Sequence, residues 1–273
     1  IRSGAVKLAV ESSGPADGTP FVWAHGMTSS MAAEDDMGVF DWSSLEGVRV
    51  ARYDAPGHGR SPMGETDEAH RWDRLAAAML RVADQARFSS FVAGGASMGA
   101  ATTLHAAVQA PERVSAMVLV IPPTAWETRG AQAGMYEFAR NFVDEHGIEA
   151  LVELERQVEG SGPLADPVLR ERFQQHLLDM APRALTRIFA GAIASDLPPR
   201  AAIAQLQQPA LILAWTDDPG HPVSTAEALA DLLPHAELSI ASSLDEARAW
   251  PERVQRFFAA LPTPGVGKAA ENG

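Results

Sequence analysis

The sequence predicts an α/β protein with a mainly parallel, doubly wound sheet and an inserted helical region. Short apolar runs alternate with stretches of helical spacing over most of the chain. A run that is apolar at every position is typical of a strand buried on both faces of a parallel sheet, and strands that alternate with helices indicate parallel pairing. The predicted strands beyond the amino-terminal stretch are residues 21–24, 48–53, 91–93, 117–121, 210–215 and 237–241.

One long region departs from this alternation. Between the strands that end at Ile121 and begin at Ala210, the pattern is almost entirely helical, in four segments separated by Gly and Pro. So many helices in one connection favour an inserted cap over ordinary crossover helices. We interpret residues 122–199 as a helical cap, and residues 1–121 and 200–262 as the core that carries it.

The two ends of the chain have their own patterns. Residues 5–11, followed by a turn rich in Gly, Pro and Asp, predict hairpin strands at the start. Residues 263–273 are rich in Pro and Gly and have no apolar periodicity, which predicts a loose tail.

Composition excludes several classes of function. The chain has 273 residues, of which 46% are hydrophobic and 21% charged, as is ordinary for a globular protein. The absence of Cys (0 residues) excludes disulfides, thiolate metal sites and a cysteine nucleophile. A net charge of -13 repels nucleic acid and anionic membranes, so we expect neither as a partner.

The sequence also bears on localisation. No segment is long and apolar enough to span a bilayer, and residues 1–3 lack the basic and apolar regions of a signal peptide. We therefore expect a cytoplasmic protein.

The segment Gly95-Ala96-Ser97-Met98-Gly99 matches the pattern G-x-S-x-G. An apolar strand precedes it and a helical stretch of small residues follows it, which is the setting that a nucleophile elbow requires. Such a turn would present the Ser97 hydroxyl at the carboxyl end of the sheet. The new helix would direct backbone N–H groups toward the same point.

Two further motifs follow predicted strands: His25-Gly26-Met27 and, within residues 54–61, Gly57-His58-Gly59-Arg60-Ser61. In this order, with the elbow and the helical insertion, the chain resembles the α/β-hydrolase superfamily, in the capped branch that includes esterases, enol-lactonases and carbon–carbon bond hydrolases. The resemblance implies an α/β-hydrolase fold, with the backbone N–H groups of Met27 and Met98 forming an oxyanion hole. It also implies that the two histidines orient loops.

The family places a catalytic acid after the strand at residues 210–215. The loop that follows is Thr216-Asp217-Asp218-Pro219-Gly220-His221-Pro222. Asp218 fits the family pattern best, because one Pro follows it directly and another stands four residues later. Asp217 and Glu127 stay open as alternative acids.

The general base is missing from its usual place. The family's histidine follows the last strand, but the corresponding positions hold Leu244 and Asp245, and no histidine occurs after His235. His221, near the predicted acid, is the best substitute because its loop lies at the catalytic edge of the sheet. The cap histidines His146 and His176 stay open as alternatives.

These features predict a serine hydrolase of a small ester, lactone or diketone, with Ser97, Asp218 and His221 as the catalytic residues and a nonstandard base. The alternatives are a degenerate ligand-binding member of the fold, or a non-hydrolytic lyase or oxygenase. We expect a small-molecule substrate and neither metal nor organic cofactor, and the oligomeric state stays open. The cap residues expected to supply pocket-facing side chains are Trp126, Met135, Tyr136, Phe138 and Phe142.

Overall fold

The computed structural model describes residues 7–38 and 41–262, and within them a sheet with helices on both faces. Its strands are β1 (Val10–Ser13), β2 (Thr19–Ala24), β3 (Val48–Tyr53), β4 (Phe91–Ala96), β5 (Val114–Val120), β6 (Ala210–Trp215) and β7 (Ala236–Ala241). Its helices are α1 (Met31–Met37), α2 (Trp72–Gln85), α3 (Met98–Gln109), α4 (Arg129–His146), α5 (Ile148–Arg156), α6 (Pro167–Leu178), α7 (Pro182–Ile193), α8 (Arg200–Ile203), α9 (Val223–Leu232), α10 (Leu244–Arg248) and α11 (Trp250–Ala260). Short 3-10 helices span Trp42–Ser44, Asp67–His70, Trp126–Thr128 and Gly162–Ala165.

The strands lie in the order β1-β3-β2-β4-β5-β6-β7, and only β1 pairs antiparallel among the described strands. The predicted mainly parallel, doubly wound sheet is therefore confirmed. The predicted amino-terminal hairpin is wrong, because β1 pairs with β3 and not with β2. Both sides of β2 are already occupied by β3 and β4, so the outer side of β3 is the one open to β1.

The alternation of side chains along β2 shows how the sheet is buried. Phe21 and Trp23 point to the face covered by α11, where the Phe21 and Phe258 rings pack edge to face with centroids 5.1 Å apart. Val22 and Ala24 point to the opposite face, which α2, α3 and α9 cover. Because successive side chains of a strand point to opposite faces, a strand in this position is apolar throughout.

The register of the parallel strands brings their carboxyl ends to one edge. Ala24 at the end of β2 pairs with Gly95 of β4, and Val120 of β5 lies between Ala96 and Leu213. The loops that follow β2, β4 and β6 therefore meet at this edge. Ligand sites in open α/β sheets occur at such an edge.

The connection between β5 and β6 contains the helices α4 to α7, which we call the helical insertion. It has its own apolar cluster, formed by Val143, Ile148, Leu151, Val152, Leu177, Leu185 and Phe189. The boundaries of a separate cap at residues 122–199 stay a prediction. In the described part of the chain, no helix combines the length and apolarity needed to cross a bilayer. The tail predicted for residues 263–273 lies outside the described residues.

Candidate active site

Ser97 stands on a strained turn between β4 and α3. Its backbone has φ 53° and ψ −111°, a region that residues with a side chain rarely adopt. The Ser97 N–H donates a hydrogen bond to the Val120 carbonyl at 2.9 Å, which ties the turn to the neighbouring strand β5. The turn has the strand–turn–helix setting of a nucleophile elbow.

Two glycines allow the elbow to form. A Cβ at Gly99 would lie 2.0 Å from the Ala24 carbonyl oxygen, and a Cβ at Gly95 would lie 2.4 Å from the Gly99 carbonyl carbon. These neighbours are backbone atoms, so they cannot turn aside as the end of a side chain could. Both positions therefore require glycine because β2, β4 and α3 approach one another closely.

Gly99→Ala is expected to lower the free energy of unfolding by at least about 2 kcal/mol, because the new methyl group overpacks a backbone contact. Gly134→Ala on α4 is the matched control, since a Cβ there meets nothing within 4 Å. The control should change stability by no more than about 1 kcal/mol, toward greater stability. Urea denaturation of both variants measures the difference, and equal values would contradict the steric account.

The structure brings Ser97, His221 and Asp218 together. Ser97 Oγ lies 2.7 Å from His221 Nε2, and His221 Nδ1 lies 2.9 Å from Asp218 Oδ2. With the Nδ1–H tautomer, the serine hydroxyl donates to Nε2 while Nδ1–H donates to the carboxylate. This is the hydrogen-bonding order of a serine-hydrolase triad.

A single tight loop carries both the acid and the imidazole. The His221 N–H donates to the Asp218 carbonyl at 3.0 Å, and the Gly220 N–H donates to the Asp218 side chain at 3.0 Å. Burial alone would raise the pKa of Asp218. The hydrogen bond and charge of His221, with the two backbone N–H groups, outweigh burial and hold that pKa below its usual value. Asp218 is therefore an acceptor at neutral pH.

The alternative acids lie elsewhere. Asp217 is exposed and has φ 57°. Glu127 is exposed and pairs with Arg200 at 2.6 Å, and the hydrogen bond from this arginine lowers the pKa of Glu127 to about 2. Neither side chain lines the cavity that contains Ser97.

The other positions considered for the base do not contact Ser97. His146 is exposed at the end of α4, and His176 on α6 contacts Asp36 Oδ2 at 3.1 Å. Asp245, at a position where the family's histidine was sought, pairs with Arg248 at 2.8 Å. Among the described histidines, His221 is the one in contact with the Ser97 hydroxyl.

The residues proposed for an oxyanion hole flank the serine. Met98 is the first residue of α3, so its backbone N–H belongs to the turn that has no acceptor within the helix. Met27, in the loop after β2, lines the same cavity as Ser97. The oxyanion role of these two N–H groups stays a prediction.

Ser97 opens into a cavity of about 240 Å³ beneath the helical insertion. The lining is mostly apolar, which is typical of small-molecule sites. The insertion contributes Pro163, Leu164 and Phe173. None of the five side chains expected to face the pocket lines this cavity; two of them, Met135 and Phe138, are largely exposed and line a separate cleft on the insertion. Their helical spacing did not reveal which face of α4 points inward.

His25 and His58 brace the loops beneath the site. The Ala55 N–H donates to His25 Nε2 at 2.9 Å, while Nδ1 of the same ring lies 2.7 Å from the Gly26 carbonyl. The His25 and His58 rings pack edge to face with centroids 4.9 Å apart. His70 is also buried, and its backbone lies so close to Gly191 that a Cβ at Gly191 would overlap it.

Acid is expected to destabilise the fold through these buried rings. Burial lowers the pKa of His25, His58 and His70, so the unfolded chain takes up protons near pH 6.5 that the folded chain resists. Stability that is present above pH 6.5 should be lost as the pH falls, by up to about 1.4 kcal/mol per histidine and pH unit. Urea denaturation between pH 7.5 and 5 measures this slope. His58→Gln should reduce it, whereas His146→Gln, at an exposed position, should not; equal slopes would contradict the assignment.

Within the described ranges, no group of three or more His, Asp or Glu side chains is close enough to hold a metal ion.

Comparisons with known proteins agree with this architecture. The alpha/beta hydrolase fold family matches residues 19–246, and no curated protein matches the chain. A hydrolase from Pseudomonas aeruginosa PA01 is 22% identical, with a TM-score of 0.72, covering 95% of this chain and 100% of that one. The enol-lactonase from Burkholderia xenovorans LB400 is 18% identical, with a TM-score of 0.75 and coverage of 95% and 99%.

A thermophilic esterase from Thermogutta terrifontis, in a structure with malate bound, is 20% identical, with a TM-score of 0.72 and coverage of 94% and 93%. At these identities the likeness to the solved structures concerns the fold. The family match extends over most of the chain, from β2 to α10, and includes the elbow and the loop that carries Asp218 and His221. The chain therefore belongs to the alpha/beta hydrolase fold family.

Proposed function

We propose that the protein is a serine hydrolase of small esters, lactones or diketones, in which Ser97 is the nucleophile, His221 the general base and Asp218 the residue that orients the base. The observation that carries this proposal is the pair of contacts through the His221 ring, 2.7 Å to Ser97 Oγ and 2.9 Å to Asp218 Oδ2. A general base must lie within hydrogen-bond reach of the proton it removes, and His221 meets that condition.

The mechanism follows from the order of these contacts. Ser97 Oγ attacks the substrate carbonyl carbon while its proton moves to His221 Nε2. Asp218 accepts the Nδ1–H bond and stabilises the imidazolium that forms. The backbone N–H groups of Met27 and Met98 hold the oxyanion. His221 then gives its proton to the leaving group, and a water molecule, deprotonated by the same ring, releases the acyl group from Ser97.

The cavity supports a small substrate. Its volume of about 240 Å³ and its mostly apolar walls suit a compact acyl group better than a polymer. Two of the structural neighbours are an enol-lactonase and an esterase, and both names are compatible with acyl transfer from oxygen.

The alternative of a degenerate binding protein depended on the lack of a base after the last strand. The contact between His221 and Ser97 supplies a candidate base from another loop. That contact favours the hydrolase over the binding protein.

A fluorophosphonate probe tests the proposal. Ser97 Oγ should displace fluoride from phosphorus, and intact-protein and peptide mass spectrometry should place one adduct on Ser97. The variant Ser97→Ala should not be labelled, whereas Ser224→Ala, at an exposed serine on α9, should be labelled like the parent protein. Hydrolysis of 4-nitrophenyl butyrate should follow the same pattern. An adduct on a different serine, or hydrolysis that survives in Ser97→Ala, would remove Ser97 from its role.

A further inference from the structure

A second carboxyl group lies in the cavity and takes no part in the mechanism above. Glu34, on α1, lines the same cavity as Ser97 and His221. The Trp23 indole donates to this carboxyl, with Nε1 2.9 Å from Oε2 and 3.1 Å from Oε1. Both oxygens share that one donor, so one of them can carry a proton and present it to a ligand.

Helix α1 holds Glu34 in a fixed position. The Ser30 side chain caps the helix by accepting from the Ala33 N–H, and the Met31 N–H donates to the buried Asp54 carboxylate at 2.8 Å. A donor on a fixed element loses little conformational entropy when it binds a ligand. Glu34 therefore has the placement of a recognition group.

The surroundings favour the neutral form of this carboxyl. Burial raises the pKa of Glu34 to about 8, and the negative charges of Asp35 and Asp54 act in the same direction. The Trp23 hydrogen bond and the positive charge of Arg52 oppose the shift without cancelling it. Arg52 is itself paired with Asp35, at 2.5 Å. His221 and Asp218 are the other titratable groups that line the cavity.

We propose that Glu34 is a specificity-determining residue, which as a neutral carboxylic acid donates a hydrogen bond to a second, uncharged carbonyl oxygen in the acyl part of the substrate. The preferred substrates are then keto esters or keto lactones. The proposal rests on the function proposed above, because it places the reacting carbonyl at Ser97.

Three classes of acyl group are distinguished by this arrangement. A plain alkyl chain leaves the Glu34 proton without an acceptor in a mostly apolar cavity, which costs binding free energy. A carboxylate is repelled by Asp218 and by any ionised Glu34. A neutral ketone accepts the proton and brings no charge.

Binding to protein that carries Ser97→Ala tests the proposal without turnover. Calorimetry should show that methyl 4-oxopentanoate binds about fivefold more tightly than methyl pentanoate at pH 7, the gain of one hydrogen bond. Adding Glu34→Leu should abolish this preference. Adding Glu34→Gln, which keeps a donor, should retain it. Adding Glu227→Gln, an exposed glutamate on α9, should leave it unchanged.

The pH dependence of the preference distinguishes a hydrogen bond donated by Glu34 from an effect of cavity shape on binding. At pH 9 the preference should disappear when Glu34 is intact, because the ionised carboxylate no longer donates, but it should persist with Glu34→Gln. A preference that survives Glu34→Leu, or one that is absent at pH 7 with Glu34 intact, overturns the proposal. If the preference behaves as expected but fluorophosphonate does not label Ser97, the hydrolase function fails while the Glu34 site stands.

Discussion

His221→Ala is expected to lower kcat/KM for 4-nitrophenyl butyrate by a factor of about 10⁶, the loss found when the base of a serine triad is removed. The ring is the group in contact with Ser97 Oγ, at 2.7 Å. Without it the hydroxyl must lose its proton to water during attack. Initial rates under subsaturating substrate give kcat/KM directly.

His235→Ala is the matched control, because His235 lies in the turn before β7 and not in the cavity lining. It should keep the parent rate. The double variant Ser97→Ala/His221→Ala should be no slower than Ser97→Ala alone, since the members of a triad act as one unit. A loss of less than about tenfold in His221→Ala would show that another group takes the Ser97 proton.

Asp218→Asn is expected to lower kcat by about 10³ to 10⁴, with KM nearly unchanged. The carboxylate accepts from His221 Nδ1 at 2.9 Å and so fixes the tautomer that leaves Nε2 free to accept from Ser97. An amide that donates its N–H to Nδ1 selects the opposite tautomer, in which Nε2 carries the proton and cannot act as a base. Steady-state kinetics on the same ester separate kcat from KM.

The neighbouring residue provides the control. Asp217→Asn removes the same charge one position earlier, at an exposed side chain, and Asn tolerates the positive φ of 57° found there. Its kcat should lie within about twofold of the parent, as is usual for an exposed substitution outside the site. If Asp217→Asn were the more damaging of the two, the acid would have been placed on the wrong residue.

The residues next to Ser97 in the sequence predict the nucleophile elbow, but they do not predict which side chains contact it. A strand, a G-x-S-x-G pentapeptide and a helix of small residues are contiguous, so the position of Ser97 at the carboxyl edge follows from nearby residues alone. The loop of His221 could be placed at the same edge because it follows β6. The direct contact with Ser97 depends on the path of a loop with two prolines and a glycine, which no periodicity encodes.

Other features depended on distant contacts. β1 pairs with β3 because both edges of β2 are already paired with β3 and β4. The sequence of residues 5–11 carries no information about which edge is free. Glu34 stands in the acidic run Glu34-Asp35-Asp36, which is typical of a solvated helix face. Only the packing of α1 beside Trp23 turns one of these three carboxyl groups inward.

In the proposed mechanism the short loop after β6 carries both the acid and the base, which the resemblance to the family places in two separate segments. Because Asp218 and His221 are three residues apart and bonded to each other through side chain and backbone, any displacement of the loop moves both together. If His221 is the base, the stretch between β7 and α11 needs no catalytic residue. Substitutions or insertions within residues 242–249 should then change the stability of the fold more than the rate of the reaction, because none of these residues lines the cavity that contains Ser97.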